Sequence, residues 1–282
     1  MSIAPGECAA RNGNERHRLW LGTAAFFLKV PERTAQDVLA KFFDCGGKWI
    51  DTASNYPMTG HPSDFLRTVD FLGRNLAHHR NARVLVKVGA ARNDGSAESL
   101  LSPSYLDTMY TMLREGLGPH LGGLAVHWDN RASRMRISET LAYLTGLLDD
   151  GMTIGFSGVE HLSLYREFNW PRGCTPIIQV RLSNGSNVGL NPAVLQIGGY
   201  FPKSITLGYG LYGGMRKGAL SVSSRDSRQA RENGGSRPGV HAAGRIRWAR
   251  NLVRSGVIDG LIIGPTSVTQ CQEVFSNWDR PL

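Results

Sequence analysis

The chain has 282 residues, 41% hydrophobic and 20% charged, with a formal net charge of +9. That composition is ordinary for a soluble globular protein, and no apolar run approaches the roughly 20 residues that a membrane span needs. Four scattered cysteines (Cys8, Cys45, Cys174 and Cys271) form no C-x-x-C pair, which argues for free thiols in a reducing, cytoplasmic setting and against a zinc site.

Residues Met1 to Arg18 mix Arg and Glu without an apolar segment and read as a flexible polar arm rather than a signal peptide. From Leu19 onward, short apolar strands alternate with amphipathic helices. Leu19-Trp20-Leu21-Gly22-Thr23 is a strand. Thr34 can cap a helix whose Val38, Leu39, Phe42 and Phe43 share a face, and Gly46-Gly47 ends it. Trp49-Ile50-Asp51 is a second strand, followed by a loop carrying Tyr56 and a helix around Asp64 to Leu76. The third strand, Arg83 to Gly89, is continuously apolar except for Lys87. Ser102-Pro103 is a cap followed by proline at the first helical position, and Leu106, Met109, Tyr110, Leu113 and Leu117 recur at helical spacing.

Gly123 to His127 is the fourth strand. Ser138 can cap a helix with Leu141, Leu144 and Leu148 inward. Further strands lie at Thr153 to Ser157, Ile177 to Val180, Ile205 to Leu207 and Gly260 to Gly264. Helices follow at Arg245 to Arg254 and Thr266 to Val274. Eight buried-type strands alternating with helices in this length predict a single-domain α/β fold, a (β/α)8 TIM barrel over residues 19–282. A doubly wound sheet is the alternative, but no strand runs into a G-x-G-x-x-G turn.

The segment from Ser221 to Gly239 has almost no large apolar residue. With Arg216 and Lys217 just before it, it makes a basic stretch at about 216–239, expected to be a mobile loop over the barrel mouth. It is read either as a solvated insertion or as a flap over an anionic ligand.

Active sites of such barrels stand at the C-terminal ends of the strands. Asp51 ends the second strand and Tyr56 follows it, Lys87 lies in the third and His127 ends the fourth, so all four stand at or near neighbouring strand ends. Each has an ordinary structural use: a helix cap, a loop tyrosine, a snorkelling lysine, a core histidine. Together they have a chemistry. Asp51 is a counter-ion for Lys87, the cation favours the Tyr56 phenolate and is expected to lower its pKa, and His127 can orient a substrate oxygen. Protonating an oxygen is half of a carbonyl reduction; the hydride for the other half must come from a nicotinamide cofactor.

These residues, with Val86-Lys87-Val88-Gly89, Val126-His127-Trp128, Gly155-Phe156-Ser157, Tyr209-Gly210-Leu211 and Ile263-Gly264, resemble the aldo-keto reductase family in order and spacing from Leu19 to Glu273. The resemblance implies a barrel that binds NADPH across its C-terminal face. Tyr56 would be the general acid, Lys87 and Asp51 the pair that tunes it, and His127 the orienting residue. It also implies that Ser157 and Gln179 hold the nicotinamide carboxamide, that Tyr209 stacks on its ring, and that Gly22, Thr23, Gly210, Leu211, Ser267, Gln270 and Glu273 line the cofactor groove. Phe26, Phe27 and Trp128 are expected to line the pocket of a small carbonyl substrate.

The chain departs from the family pattern in places. Gly158 stands where an asparagine is usual, and Gly264 to Val274 carries no cation for a 2′-phosphate, which leaves NADH open beside NADPH. The short tail after Val274 suggests an open pocket for a bulky or polar substrate, such as a sugar or natural-product intermediate. Two rival functions are a Schiff-base lyase using Lys87 and a non-catalytic NADP(H)-binding regulatory protein. Neither a membrane nor a nucleic-acid partner is expected, since no recognition motif accompanies the arginines.

Overall fold

The computed structural model describes residues 15–96, 98–182, 197, 201, 203–211 and 238–279. The basic stretch at 216–237 lies outside the described residues. Eight parallel strands close into a barrel in chain order. They are β1 (Leu19–Gly22), β2 (Trp49–Ala53), β3 (Arg83–Val88), β4 (Leu121–His127), β5 (Thr153–Ser157), β6 (Ile177–Arg181), β7 (Ile205–Tyr209) and β8 (Gly260–Ile263), with β8 pairing back onto β1. The flanking helices are α1 (Glu32–Asp44), α2 (Arg67–Asn75), α3 (Pro103–Leu117), α4 (Arg134–Gly146), α5 (Leu162–Arg166), α6 (Pro238–Arg254) and α7 (Val268–Asp279).

Two apolar layers explain why the strands read as unbroken hydrophobic runs. Outward-facing residues such as Leu21, Ile50, Val84, Val86, Val126, Ile178 and Val180 join the helix stripes, for example Ala35, Val38, Leu39 and Phe42 of α1, in one large core. Inward-facing Trp20, Leu85, Ala125, Ile177, Leu207 and Ile262 fill the barrel. Trp20 stacks on Trp49 within it, with ring centroids 4.6 Å apart.

Period two then places the site. Two residues beyond Trp49 on the same face stands Asp51; beyond Leu85, Lys87; beyond Ala125, His127; beyond Ile177, Gln179; beyond Leu207, Tyr209. The polar layer is simply the next tier of inward side chains towards the strands' C-terminal ends. His127, Ser157 and Gln179 are successive register partners across β4, β5 and β6.

Several local expectations shift. Helix α1 begins after Pro31, whose fixed φ suits a helix entry, so Thr34 lies within the first turn and does not cap. Ser133 accepts from the Arg136 amide at 3.4 Å and starts α4, which leaves Ser138 inside the helix. The expected helix at Asp64 to Leu76 is a short 3-10 turn, Pro62–Asp64, then α2; Leu66 between them has φ +65°, which breaks the run. Ser102 caps α3 as expected, and Gly46 ends the α1 turn at φ +86°.

Candidate active site

Asp51, Lys87, His127 and Gln179 converge at the barrel mouth, all but closed to solvent. The Lys87 ammonium donates to Asp51 Oδ2 and, at 3.0 Å, to the Thr52 carbonyl. Gln179 Nε2 donates to the other Asp51 oxygen, so this carboxylate bridges the second, third and sixth strands. Thr23 ties the first strand to the same point: its hydroxyl donates to Thr52 Oγ1 at 2.8 Å and its amide to the Asp51 carbonyl at 3.0 Å.

Tyr56 is held through its backbone. Its amide donates to the Ala53 carbonyl at 3.1 Å, and its own carbonyl accepts from Thr68 at 3.2 Å. The ring lies 5.3 Å from Lys87 Nζ and stands edge-on to the His127 imidazole, with centroids 5.9 Å apart and planes at 85°. The sequence expectation for its acidity is corrected here. The Tyr56 pKa is raised well above the ordinary phenol value, mainly because burial disfavours the phenolate, with the Asp51 charge adding to the effect. Asp51 neutralises Lys87 and so cancels much of the cation's pull. Burial also lowers the Lys87 pKa, against the opposing effect of Asp51. Tyr56 is therefore a phenol that stays protonated at neutral pH.

On the far side, the Tyr209 side chain interacts with Ser157 and Arg181, and burial raises its pKa. Trp128 follows His127 and lies over its ring, with centroids 4.3 Å apart. Ser267 and Gln270 cap α7: the Ser267 hydroxyl accepts from the Gln270 amide at 3.2 Å, and Gln270 Oε1 accepts from the Thr266 amide at 2.8 Å. Glu273 is exposed on α7.

Some expected lining residues stand elsewhere. Phe26 is fully buried in the outer core, edge-on to Phe71 of α2, and Phe27 packs between Phe71 and the Arg67 guanidinium. The Leu211 side chain belongs to the outer core, and its carbonyl accepts from Arg245 at 3.0 Å. Thr23 is fully buried, a strand-end clamp by position. Gly22 sits where a Cβ would come within 2.8 Å of Ile262.

Two site residues escaped the sequence reading. Asn93, 3% exposed in the loop after β3, donates to the His61 carbonyl at 2.6 Å, and its own carbonyl accepts from Gly60 at 3.0 Å. It staples the loop that follows Tyr56. Only its place in an Asn-Asp-Gly turn hinted at it. Arg181 follows Gln179 by two residues and shares its face, so period two alone would have placed it at the mouth. Its side chain passes Gly210, where a Cβ would lie 3.4 Å from Arg181 Cγ.

Comparison with known proteins agrees with this architecture. The model for the aldo/keto reductase family matches residues 18–182, more than half of the chain. No curated protein sequence matches. Among solved structures, a glycerol dehydrogenase from Gluconobacter oxydans superposes with a TM-score of 0.62 at 19% identity, covering 94% of this chain and 87% of its own. The Pseudomonas aeruginosa protein PA4992 gives 0.62 at 17% identity, with coverages of 93% and 88%. An aldo-keto reductase from a Medee basin deep-sea metagenome library gives 0.60 at 14%, with coverages of 96% and 88%. At these identities the structures attest a shared fold.

Proposed function

The chain belongs to the aldo/keto reductase family, and on that premise we propose that it reduces an aldehyde or ketone to an alcohol with NADPH or NADH, using Tyr56 as the proton donor. The observation that carries this reading is the buried Asp51–Lys87 pair beside a protonated Tyr56 and an edge-on His127.

The donor set of the opposite wall fits a nicotinamide. Ser157 and Gln179 are register partners that offer a hydroxyl and a primary amide side by side, complementary to a carboxamide, and the Tyr209 ring ends the next inward tier. The bound cofactor supplies the hydride. The remaining work belongs to the chain. His127 donates to or aligns the carbonyl oxygen on the side facing Tyr56. As negative charge builds on that oxygen, the Tyr56 phenol gives up its proton and the alcohol forms. A raised pKa suits this role: the phenol withholds its proton from water and releases it only to a more basic developing alkoxide. The phenolate that remains is stabilised by Lys87, 5.3 Å from its ring. Asp51 holds Lys87 in place and charged, which disfavours its use as a Schiff-base nucleophile.

The test is a titration with NADPH and with NADH followed by intrinsic Trp fluorescence, then a carbonyl screen with Tyr56→Phe as control. Saturable binding of either nucleotide, turnover by the parent, and a loss of about 10²- to 10⁴-fold in Tyr56→Phe with binding retained would support the assignment. A folded protein that binds neither nucleotide would sink it.

A further inference from the structure

Helices α2 and α3 are in backbone contact at one end and parted at the other. A Cβ on Gly73 of α2 would stand 2.3 Å from the Gly116 carbonyl oxygen of α3, so no side chain fits between them there. Opposite the first turns of α3 the partner helix has not yet begun. The chain there is the 3-10 turn Pro62–Asp64, then Leu66 at φ +65°, a left-handed conformation that leucine rarely adopts. The gap is a cavity of about 570 Å³, within the size range of small-molecule sites. Phe65, Leu66 and Met109 line it, with Leu100 and Met112 at its rim. Among the described residues the exposed large apolar side chains are these two, at 45% and 47%, and Met135. Exposed apolar side chains gathered in one place mark an interaction site.

The charges at the cavity are already matched. Its lining carries one cation and one carboxylate: Arg92 lies 3.2 Å from Glu98, and Asp94 accepts from the Ser96 amide at 2.8 Å. An ionic ligand would shed its water without gaining a counter-charge. The walls are also the straps that hold the loop of Tyr56. The Leu66 amide donates to the carbonyl of Ser54, two residues before Tyr56, at 2.7 Å, and the Gly60 amide joins one wall to the Asn93 carbonyl of the other at 3.0 Å.

We propose that this cavity is an effector site for an uncharged, mainly apolar small molecule, and that its occupancy stiffens the loop carrying Tyr56. A ligand that fits between these walls favours the arrangement in which both straps are made. The site stands apart from the barrel mouth and from the reductase reading, and neither falls with the other.

The test uses N-phenylnaphthylamine, a neutral fluorescent probe, and its sulfonated analogue anilinonaphthalene sulfonate. Saturable binding of the neutral probe is expected, with the sulfonate weaker by about tenfold. Thr108→Trp fills the cavity from an exposed position of α3, and Met112→Glu puts a charge on the rim; each should weaken the neutral probe by about tenfold. Should the first variant fail to fold, the second decides. No binding by the parent, or undiminished binding by the folded variants, would overturn the site. A sulfonate that binds as tightly as the neutral probe would overturn the uncharged class. Amide hydrogen exchange reads the coupling without turnover: exchange from Gly60 to Thr68 should slow when the probe is bound. Unchanged exchange at saturation would overturn the effect on the Tyr56 loop.

Discussion

The two walls of the barrel mouth are built differently. The wall from β2 to β4 is tightly bonded: Asp51 takes the Lys87 ammonium and, from β6 across the barrel, the Gln179 amide, Thr23 locks the neighbouring strand, and Asn93 pins the loop beyond Tyr56. The wall from β5 to β8 carries local contacts besides the Gln179 bond to Asp51: Ser157 beside Tyr209, Arg181 along Gly210, and Ser267 and Gln270 capping a helix. The family model covers the first wall and the β5 and β6 part of the second, and ends at Leu182, the residue after β6. The contrast teaches that a buried ion pair has to be held by a fixed network, whereas helix caps and local contacts are each worth little alone.

The largest effect should come from breaking the network at its centre. Asp51→Ala strands the Lys87 ammonium, 2% exposed, without a counter-charge. Removing one partner of a buried pair costs about 3–5 kcal/mol. Urea denaturation should show this loss, and the double change Asp51→Leu with Lys87→Met should recover a large part of it. A single variant as stable as the parent would mean that the pair does not organise the first wall.

Asn93 tests whether the wall extends into its loops. Its amide donates to the His61 carbonyl, which also accepts from the Asp64 amide at 2.9 Å, so Asn93→Ala removes one hydrogen bond at a cost of about 0.5–1.5 kcal/mol. The reaction rate should fall with it, because Tyr56 begins the same loop. An unchanged rate in a destabilised protein would confine Asn93 to a structural role.

The acidity of Tyr56 sharpens the comparison further. The proposed reduction needs the protonated phenol, and a pKa raised above the ordinary value near 10 keeps that form dominant throughout the neutral and mildly alkaline range. The single-turnover reduction rate, read after a rapid pH jump, should stay level up to pH about 10 and decline above it. Alcohol oxidation, which needs the phenolate, should rise over the same range. A decline in reduction setting in well below pH 10 would show that Lys87 outweighs burial.

Much of this was legible in the sequence because barrel strands obey one rule. Buried apolar runs predict parallel strands, and period two carries the inward row from Leu85 to Lys87 and from Ala125 to His127 without further information. The same rule would have reached Arg181. The readings that failed depended on tertiary context. Phe26 follows a strand end, yet its side chain packs on Phe71 of α2 in the outer core, which no local pattern reveals. Thr34 and Ser138 are sound caps by type, displaced by Pro31 and Ser133 a few residues earlier. The direction of the Tyr56 shift depended on the degree of burial and on the nearby Asp51 charge, neither of which spacing conveys.

The smallest effect lies in the second wall, at Ser267. Its hydroxyl accepts from the Gln270 amide at the start of α7, while the family resemblance gives the same side chain to the cofactor. Alanine and glycine separate the two uses. At a helix cap, alanine costs about 1 kcal/mol and glycine only a few tenths. Ser267→Ala should therefore lower the thermal midpoint more than Ser267→Gly. Nucleotide affinity, measured by the same Trp fluorescence titration, should fall in both variants by a similar few-fold factor if the hydroxyl contacts the cofactor. A loss confined to the alanine variant would show that Ser267 acts on the groove only by holding the end of α7.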